Sequence, residues 1–308
     1  MITNLDPQSQ IFLADLNQVE QRLNVAESQV TSGKSLNVAS DDPDVVSDVL
    51  QLRSALAKNT QIQTNLGVAQ TDAQVADDAL SSSIQLLQTA LTVGGQAVST
   101  TMDATSRQTL ATQVEALQEQ LVSFSQTQSG DHYVFSGDQD TQPCYQIDLA
   151  SPTGVDELIT PSATKQVEDP AGGAFPASQT AQQIFDDQND DGSPAPDNAF
   201  AALNNLRLAL TNNDVSGIES AISSVQLASD HLNECQGFYG AVEDRIQNGL
   251  TFSGQYNVQL QTELSQKQDA DVSSAALELS QGTVQLQAAF DMEGRVPRTT
   301  LFDYLTSS

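Results

Sequence analysis

Residues 31–50 read TSGKSLNVASDDPDVVSDVL, and two helical patterns meet within them. Upstream, Phe12, Leu16, Val19, Leu23, Ala26 and Val30 are separated by alternating steps of four and three, the period of a coiled-coil seam. Gly33 closes that pattern, because glycine accepts the left-handed φ with which helices commonly end. SLNVAS, residues 35–40, lacks helical spacing and predicts an extended corner. Asp42 then offers a capping oxygen and Pro43 suits the first helical position. Asp44 complements the positive helix end. Val45, Val49, Leu52 and Leu56 resume the same steps, and Leu66 returns to their phase.

Further along, Ala and Leu positions carry this second seam to about Leu91, and Gly94 and Gly95 predict its end. At about 1.5 Å per residue, a helix from Pro43 to Val93 would be roughly 75 Å long. Thr105 and Gln108 predict a capping box for a third helix whose seam is Leu110, Val114, Leu117, Leu121 and Phe124. Residues 130 to about 198 differ in kind, being rich in Pro, Gly and Asp, and YVF, YQIDL and ELIT predict short strands. Helical spacing returns at Phe200, Leu203, Leu206 and Leu210. Asp214 is placed to cap a long helix from about Ser216. Leu232, Cys235, Tyr239, Val242, Ile246, Gly249, Ser253, Tyr256 and Leu260 share one heptad phase, while Ile218, Ile222 and Val225 fit another, which predicts a register shift near Ser229. SQKQDADV, residues 265–272, interrupts, and a last helix runs from about Val272 to Glu293 before Pro297.

The expected fold is mainly α: an elongated antiparallel helical rod or coiled coil of N- and C-terminal segments, with a small inserted β-containing head. Its parts are an N-terminal assembly helix and corner (1–42), two halves of a rod (43–137 and 199–268), a head (138–198), and a C-terminal assembly helix and tail (269–308). Two terminal helices that cannot bury their seams locally must bury them against each other or against other copies. Ordering each residue costs about 1–2 kcal/mol of backbone entropy, so these ends are expected to order on assembly.

Composition agrees with thin seams rather than a thick core. Aromatic residues make up 5% of the 308 positions and Trp is absent. Eleven Lys and Arg stand against 40 Asp and Glu, a formal charge of −29. That charge excludes nucleic acid and anionic lipid surfaces as partners. No apolar run reaches the length of about 18 residues that would suggest a membrane helix, so no membrane insertion is expected. The start of the sequence, MITNLDPQSQIFLADLN, lacks the basic and apolar regions of a cleaved secretory signal.

Little points to chemistry. His132 and His231 have no Cys or His partner at a spacing typical of metal ligands, and Cys144 and Cys235 are expected to be reduced and structural. No phosphate-cradling loop or nucleophile elbow is present, so neither catalysis nor a cofactor is expected. DQNDDG, residues 187–192, matches the first half of a calcium loop through Asp187, Asn189 and Asp191, with Gly192 at the turn. Its twelfth position is Asn198 rather than Glu, and Pro194 and Pro196 lie inside it, so an acidic surface turn is the simpler expectation.

Three stretches carry a family resemblance. TSGKSLNVASDDPDVV resembles the N-terminal corner of bacterial flagellin-type subunits. YVFSGDQDTQP, residues 133–143, is similar to that family's entry to the head, and ELSQGTVQLQAAF with RTTLFDYL to its C-terminal helix and Leu-rich tail. Pro43 favours the branch that joins hook to filament, since filament flagellins more often carry Asp-Asp-Ala at this corner. The resemblance implies a structural subunit exported through the flagellar type III pathway without a cleaved signal, and therefore extracellular. It would form a ring of its own copies between a hook-side hook-associated protein and flagellin or a filament-side junction protein. An export chaperone would hold its C-terminal segment. The implied assembly interface is Phe12, Leu16, Val19, Leu23 and Val30 with Leu279, Leu286, Phe290, Leu301 and Leu305, and the corner is Gly33, Asp41, Asp42 and Pro43. A filament flagellin, with a longer tail, and a coiled-coil scaffold unrelated to flagella are the rival readings.

Overall fold

The computed structural model describes residues 7–36 and 43–293. Asp41, Asp42, Leu301 and Leu305, together with most of the corner and Pro297, lie outside the described residues. The chain is mainly α: α1 (Pro7–Ser32), α2 (Pro43–Ala97), α3 (Ala104–Ser125), α4 (Ala181–Phe185), α5 (Ala199–Thr211), α6 (Val215–Gln268) and α7 (Val272–Glu293). Three antiparallel strand pairs lie between α3 and α5: β1 (Gln128–Ser129) with β2 (His132–Tyr133), β3 (Tyr145–Ile147) with β4 (Val155–Glu157), and β5 (Gln166–Glu168) with β6 (Ala174–Pro176). The chain divides into two compact units, residues 1–58 with 257–308, and residues 59–256. Both α2 and α6 contribute to each.

In the larger unit the core runs from Ile62 to Ile246 and gathers the α2, α3, α5 and α6 seams. On α2 it uses small and large residues in turn, Leu66, Ala69, Ala73, Ala76, Leu80, Leu87 and Ala90 among them. Helix α2 continues through Gly94 and Gly95 to Ala97. Gly94 is retained there by packing, since a Cβ would stand 2.7 Å from Ile222 Cγ1. From Ile218 to Ile246 the buried apolar positions of α6 are Ile218, Ala221, Val225, Ala228, Leu232, Cys235, Tyr239, Val242 and Ile246, one unbroken alternation of three and four, with buried Ser229 beside it. The expected shift near Ser229 does not occur. Ala221 and Ala228 hold the register, and Ile222 is only partly buried beside it.

Helix α3 is capped by Asp103, whose carboxylate accepts from the Ser106 N–H at 2.7 Å, rather than by the expected box at Thr105. Arg107, on the same turn, is buried and donates to the Ala97 and Ser99 carbonyls at 2.9 Å each and to Asn213 Oδ1 at 2.6 Å. It thereby satisfies carbonyls at the end of α2 that the helix itself leaves free.

The strand-bearing region shares this core. Phe135, Tyr145, Phe185, Phe200 and Tyr239 meet with ring centroids 5.1–6.4 Å apart. The β5–β6 hairpin is held to α6 by Arg245, whose guanidinium lies 4.2 Å from the Phe175 ring and 3.1 Å from Asp169 Oδ2. Three strands and one capped helix in this region, β1, β5, β6 and α4, are additional to the expected ones, and the expected YVF and ELIT meet β2 and β4 only at Tyr133 and Glu157. The short α4 is anchored by a reciprocal box between Thr180 and Gln183.

Candidate assembly interface

The smaller unit pairs α1 with α7. On α1, Phe12, Leu16, Val19, Leu23 and Val30 are half-buried and Ala26 is fully buried, so the alternation seen in sequence is one real face. On α7 the corresponding face is Ala275, Leu279, Gly282, Leu286 and Ala289. The two helices approach closely where Leu23 sits over Gly282. A Cβ on Gly282 would fall 2.6 Å from Leu23 Cδ2. Arg22 bridges the exposed side through Glu278 at 3.4 Å and Gln285 at 3.3 Å.

Each terminal helix therefore has a partner in its own chain, a source of burial that the expectation of ordering only on assembly leaves out. The seam nevertheless stays half-exposed, because two helices cannot enclose it. A groove of about 610 Å³ follows it, lined by Arg22, Val25, Ala26, Ser274, Ala275 and Glu278 among others.

Apolar residues also point away from the pair. Ile11 is 62% exposed, Leu277 60%, Val284 66% and Met292 70%. Phe290, expected on the interface, belongs to this outward set, at 53% exposed. The outward residues lie off the stripe that α1 and α7 bury against each other, so a search for one seam passes over them, although Leu277 and Val284 are a heptad apart. Their signal is different: Ile, Val, Leu and Met on the solvent side of a helix that has a buried side already.

The elbow is built from both ends of the chain. Gly33 takes φ +69° and its N–H donates to the Gln29 carbonyl at 2.9 Å, a left-handed helix end. Ala270 N–H then donates to the Gly33 carbonyl at 3.0 Å, and Ser35 N–H to the Gln268 carbonyl at 2.8 Å. Lys34 and Asp269 form an antiparallel bridge. Two side chains of α6 reach α2: Gln268 accepts from Arg53 at 3.0 Å, and Lys267 pairs with Asp48 at 3.0 Å. Asp271 caps α7, accepting from the Ser273 and Ser274 N–H groups at 3.0 and 3.1 Å. The polar interruption at residues 265–272, narrowed in the structure to Asp269–Asp271, is thus the counterpart of TSGKS. Pro43 stands at the first position of α2, where no N–H is needed.

The remaining candidates are held by bonds within the fold. Asp191 accepts from the Ser193 N–H and hydroxyl at 3.0 and 2.6 Å, and Asn189 donates its amide to Ser193 Oγ at 3.0 Å and to the Pro194 carbonyl at 3.1 Å. The loop is closed on itself by these bonds, and Asp187 contributes its backbone carbonyl to Ala195 N–H at 2.9 Å. His132 stands 3.0 Å from both Asp72 oxygens, with Lys165 also 3.6 Å from Asp72 and 3.2 Å from Asp140. Contrary to the reading of its spacing, His231 does have a sulfur neighbour: Cys235, one helical turn on, lies 3.6 Å from Nε2. That sulfur, the Gln183 carbonyl at 2.9 Å and Asp197 at 3.6 Å hold the imidazole pKa at about 9, against the effect of burial. Asp186, buried among Tyr145, Asn198 and Gln188, is pushed upward by desolvation. Among the described residues no group of three His, Cys, Asp or Glu is placed to hold a metal ion, and no helix is long and apolar enough to cross a membrane.

Residues 4–140 match the model of the bacterial flagellin N-terminal helical region. Over 75% of the chain and 71% of its own length, the flagellar hook-associated protein 3 of Escherichia coli is 26% identical. The protein of the same name from Salmonella typhimurium is 26% identical over 77% and 73%. Among solved structures, a putative flagellar hook-associated protein from Vibrio parahaemolyticus superposes with a TM-score of 0.63 at 15% identity, covering 74% of this chain and all of that one. The flagellar hook-associated protein-3 from Legionella pneumophila gives 0.61 at 12% identity, covering 71% and 98%. The last two likenesses are of fold.

Proposed function

We infer that this chain, a homologue of flagellar hook-associated protein 3 with a flagellin-type N-terminal region, is a structural subunit of the bacterial flagellum that joins hook to filament. The observation that carries the reading is the elbow. Gly33 and Gln268 tie the end of α1 to the end of α6, so that both chain ends form one paired module. Such a module can pack beside identical modules to build a wall, with its inward seam fixing the pair and its outward apolar residues meeting neighbours.

Copies of the chain form a ring through Phe12, Leu16, Val19, Leu23, Val30, Leu279, Leu286 and Phe290, and through the tail residues Leu301 and Leu305. The ring contacts a hook-side hook-associated protein below and flagellin or a filament-side junction protein above. The chain reaches that extracellular place through the flagellar export route, escorted by a chaperone on its C-terminal segment. Copies carrying −29 each repel, so assembly should strengthen with salt, the Debye length being about 10 Å at 0.1 M.

Immunogold labelling of isolated flagella with an antibody to residues 138–198 tests the placement. A single band between hook and filament is expected. Label along the whole filament would make the chain a flagellin, and flagella without label would leave a coiled-coil scaffold. Calcium is a minor alternative for the 187–192 loop, and a titration without heat at millimolar calcium would remove it.

A further inference from the structure

Cys235 lies on the α6 seam, where its spacing marks it as a packing residue, yet its neighbours are those of a reactive thiol. His231 stands one turn before it, with Nε2 3.6 Å from Sγ. The same Nε2 lies 2.9 Å from the Gln183 carbonyl of α4, and Nδ1 lies 3.6 Å from the Asp197 carboxylate, just before α5. Three separate stretches of chain thus converge on one ring, and both of its nitrogens face acceptors. Such surroundings favour the doubly protonated imidazole, and its pKa is accordingly held at about 9. At neutral pH an imidazolium therefore stands beside the sulfur, and a neighbouring cation favours thiolate over thiol.

Cys144 provides the contrast within the same core. Its sulfur meets the Ser136 hydroxyl at 3.2 Å and the Phe135 carbonyl at 3.8 Å. Neither neighbour carries positive charge, and burial pushes this thiol up. Both cysteines are buried, so what separates them is the cation beside Cys235. Cys235 is 3% exposed, which shuts out bulky reagents and leaves small uncharged ones.

We propose that Cys235 is a site of oxidation by hydrogen peroxide, with His231 as the proton donor to the departing oxygen and Asp197 as the residue that positions the ring. The thiolate sulfur forms a bond to one peroxide oxygen as the O–O bond breaks. The other oxygen leaves with the bonding pair and takes the imidazolium proton. The products are a sulfenic acid on Cys235, a neutral His231 and water. Sulfur is oxidised by two electrons, and the peroxide is reduced by the same two. The inference stands on the larger unit alone and does not depend on where the chain assembles.

The test uses the purified full chain, fully reduced, in dilute hydrogen peroxide. Catalase stops the reaction, and the chain is then unfolded in dimedone, so that burial no longer decides which sulfenic acid is trapped. Mass spectrometry of the two cysteine peptides should show the adduct accumulating at Cys235 about tenfold faster, or more, than at Cys144. His231→Gln should bring the two rates together. Asp197→Asn, which keeps the shape beside Nδ1 and removes its charge, should give Cys235 an intermediate rate. If a thermal melt shows His231→Gln to be unfolded, the ratio in the unaltered chain and its fall in Asp197→Asn still decide. Equal rates at the two sulfurs, no adduct at Cys235, or a preference that survives both substitutions would overturn the proposal.

Discussion

The two compact units share α2 and α6 but are stabilised differently. In the larger unit Leu66, Leu80, Leu121, Phe135, Phe200, Leu206 and Ile246 are wholly enclosed. In the described part of the smaller unit the fully buried apolar residues are Ala26, Val49, Leu260 and Ala275, and the larger side chains of α1 and α7 are half-covered at best. Burial is worth about 25 cal/mol per Å², so the larger unit is complete by itself while the smaller one leaves apolar area over for neighbours. One encloses its large apolar side chains, and the other leaves most of its own half-exposed.

The largest effect should come from the complete unit. Phe200→Ala empties a site between Tyr145 and Phe185 and should cost about 3–5 kcal/mol. A thermal melt should show the main transition falling by many degrees. If the transition barely moves, the core is not shared between the strand-bearing region and the helices. Next is Gly282→Val, which pushes a methyl-bearing carbon into Leu23. It should cost about 1–3 kcal/mol of α1–α7 pairing, lower hydrogen-exchange protection in residues 14–30, and leave the main melt unchanged. A drop in the main melt would mean that the two units unfold as one.

A pH effect distinguishes the units further. The His231 pKa is raised from 6.5 to about 9 in the fold, so its contribution is full below 6.5 and is lost as pH rises through about 9. The larger unit should therefore lose on the order of 2 kcal/mol between pH 6 and 10. His231→Gln should flatten that slope. A slope that survives the substitution would place its origin in the general acidity of the chain.

Much of this contrast is written in the sequence, and its limits are physical. Heptad spacing revealed α1, α2, α3 and α6 because a helix buried along one stripe must repeat every three to four residues. It misjudged Ser229, since Ala221 and Ala228 are too small to register as seam residues against Ile222, although both are buried. Spacing also passed over β5, β6 and α4, where stability comes from aromatic contacts and caps between residues distant in sequence, such as Gln179 N–H on the Tyr239 hydroxyl at 3.1 Å. Of the α1–α7 pair, the inward face of α1 was legible as a seam, while on α7 the resemblance supplied Leu279 and Leu286 but set the outward Phe290 with them. Gly282 and the outward Ile11, Val284 and Met292 were not legible, since one is a missing side chain and the others lie off the buried stripe.

The smallest predicted effect concerns the elbow and separates local strain from tertiary design. Gly33 has φ +69° and no atom lies within 4 Å of where a Cβ would stand, so Gly33→Ala meets no clash and only conformational cost. For a residue with a Cβ the left-handed region costs about 1–2 kcal/mol, and the main melt should not register it. Its effect should appear instead in the bonds from Ala270 N–H to Gly33 and from Ser35 N–H to Gln268, as faster amide exchange at both positions. Gly33→Asn, which tolerates the left-handed region better, should exchange at an intermediate rate. Equal exchange in all three chains would mean that the bridge between Lys34 and Asp269 sets the elbow without help from the glycine. The graded order would mean that a single backbone torsion couples the two ends of the chain, and that the smaller unit reaches its neighbours already paired.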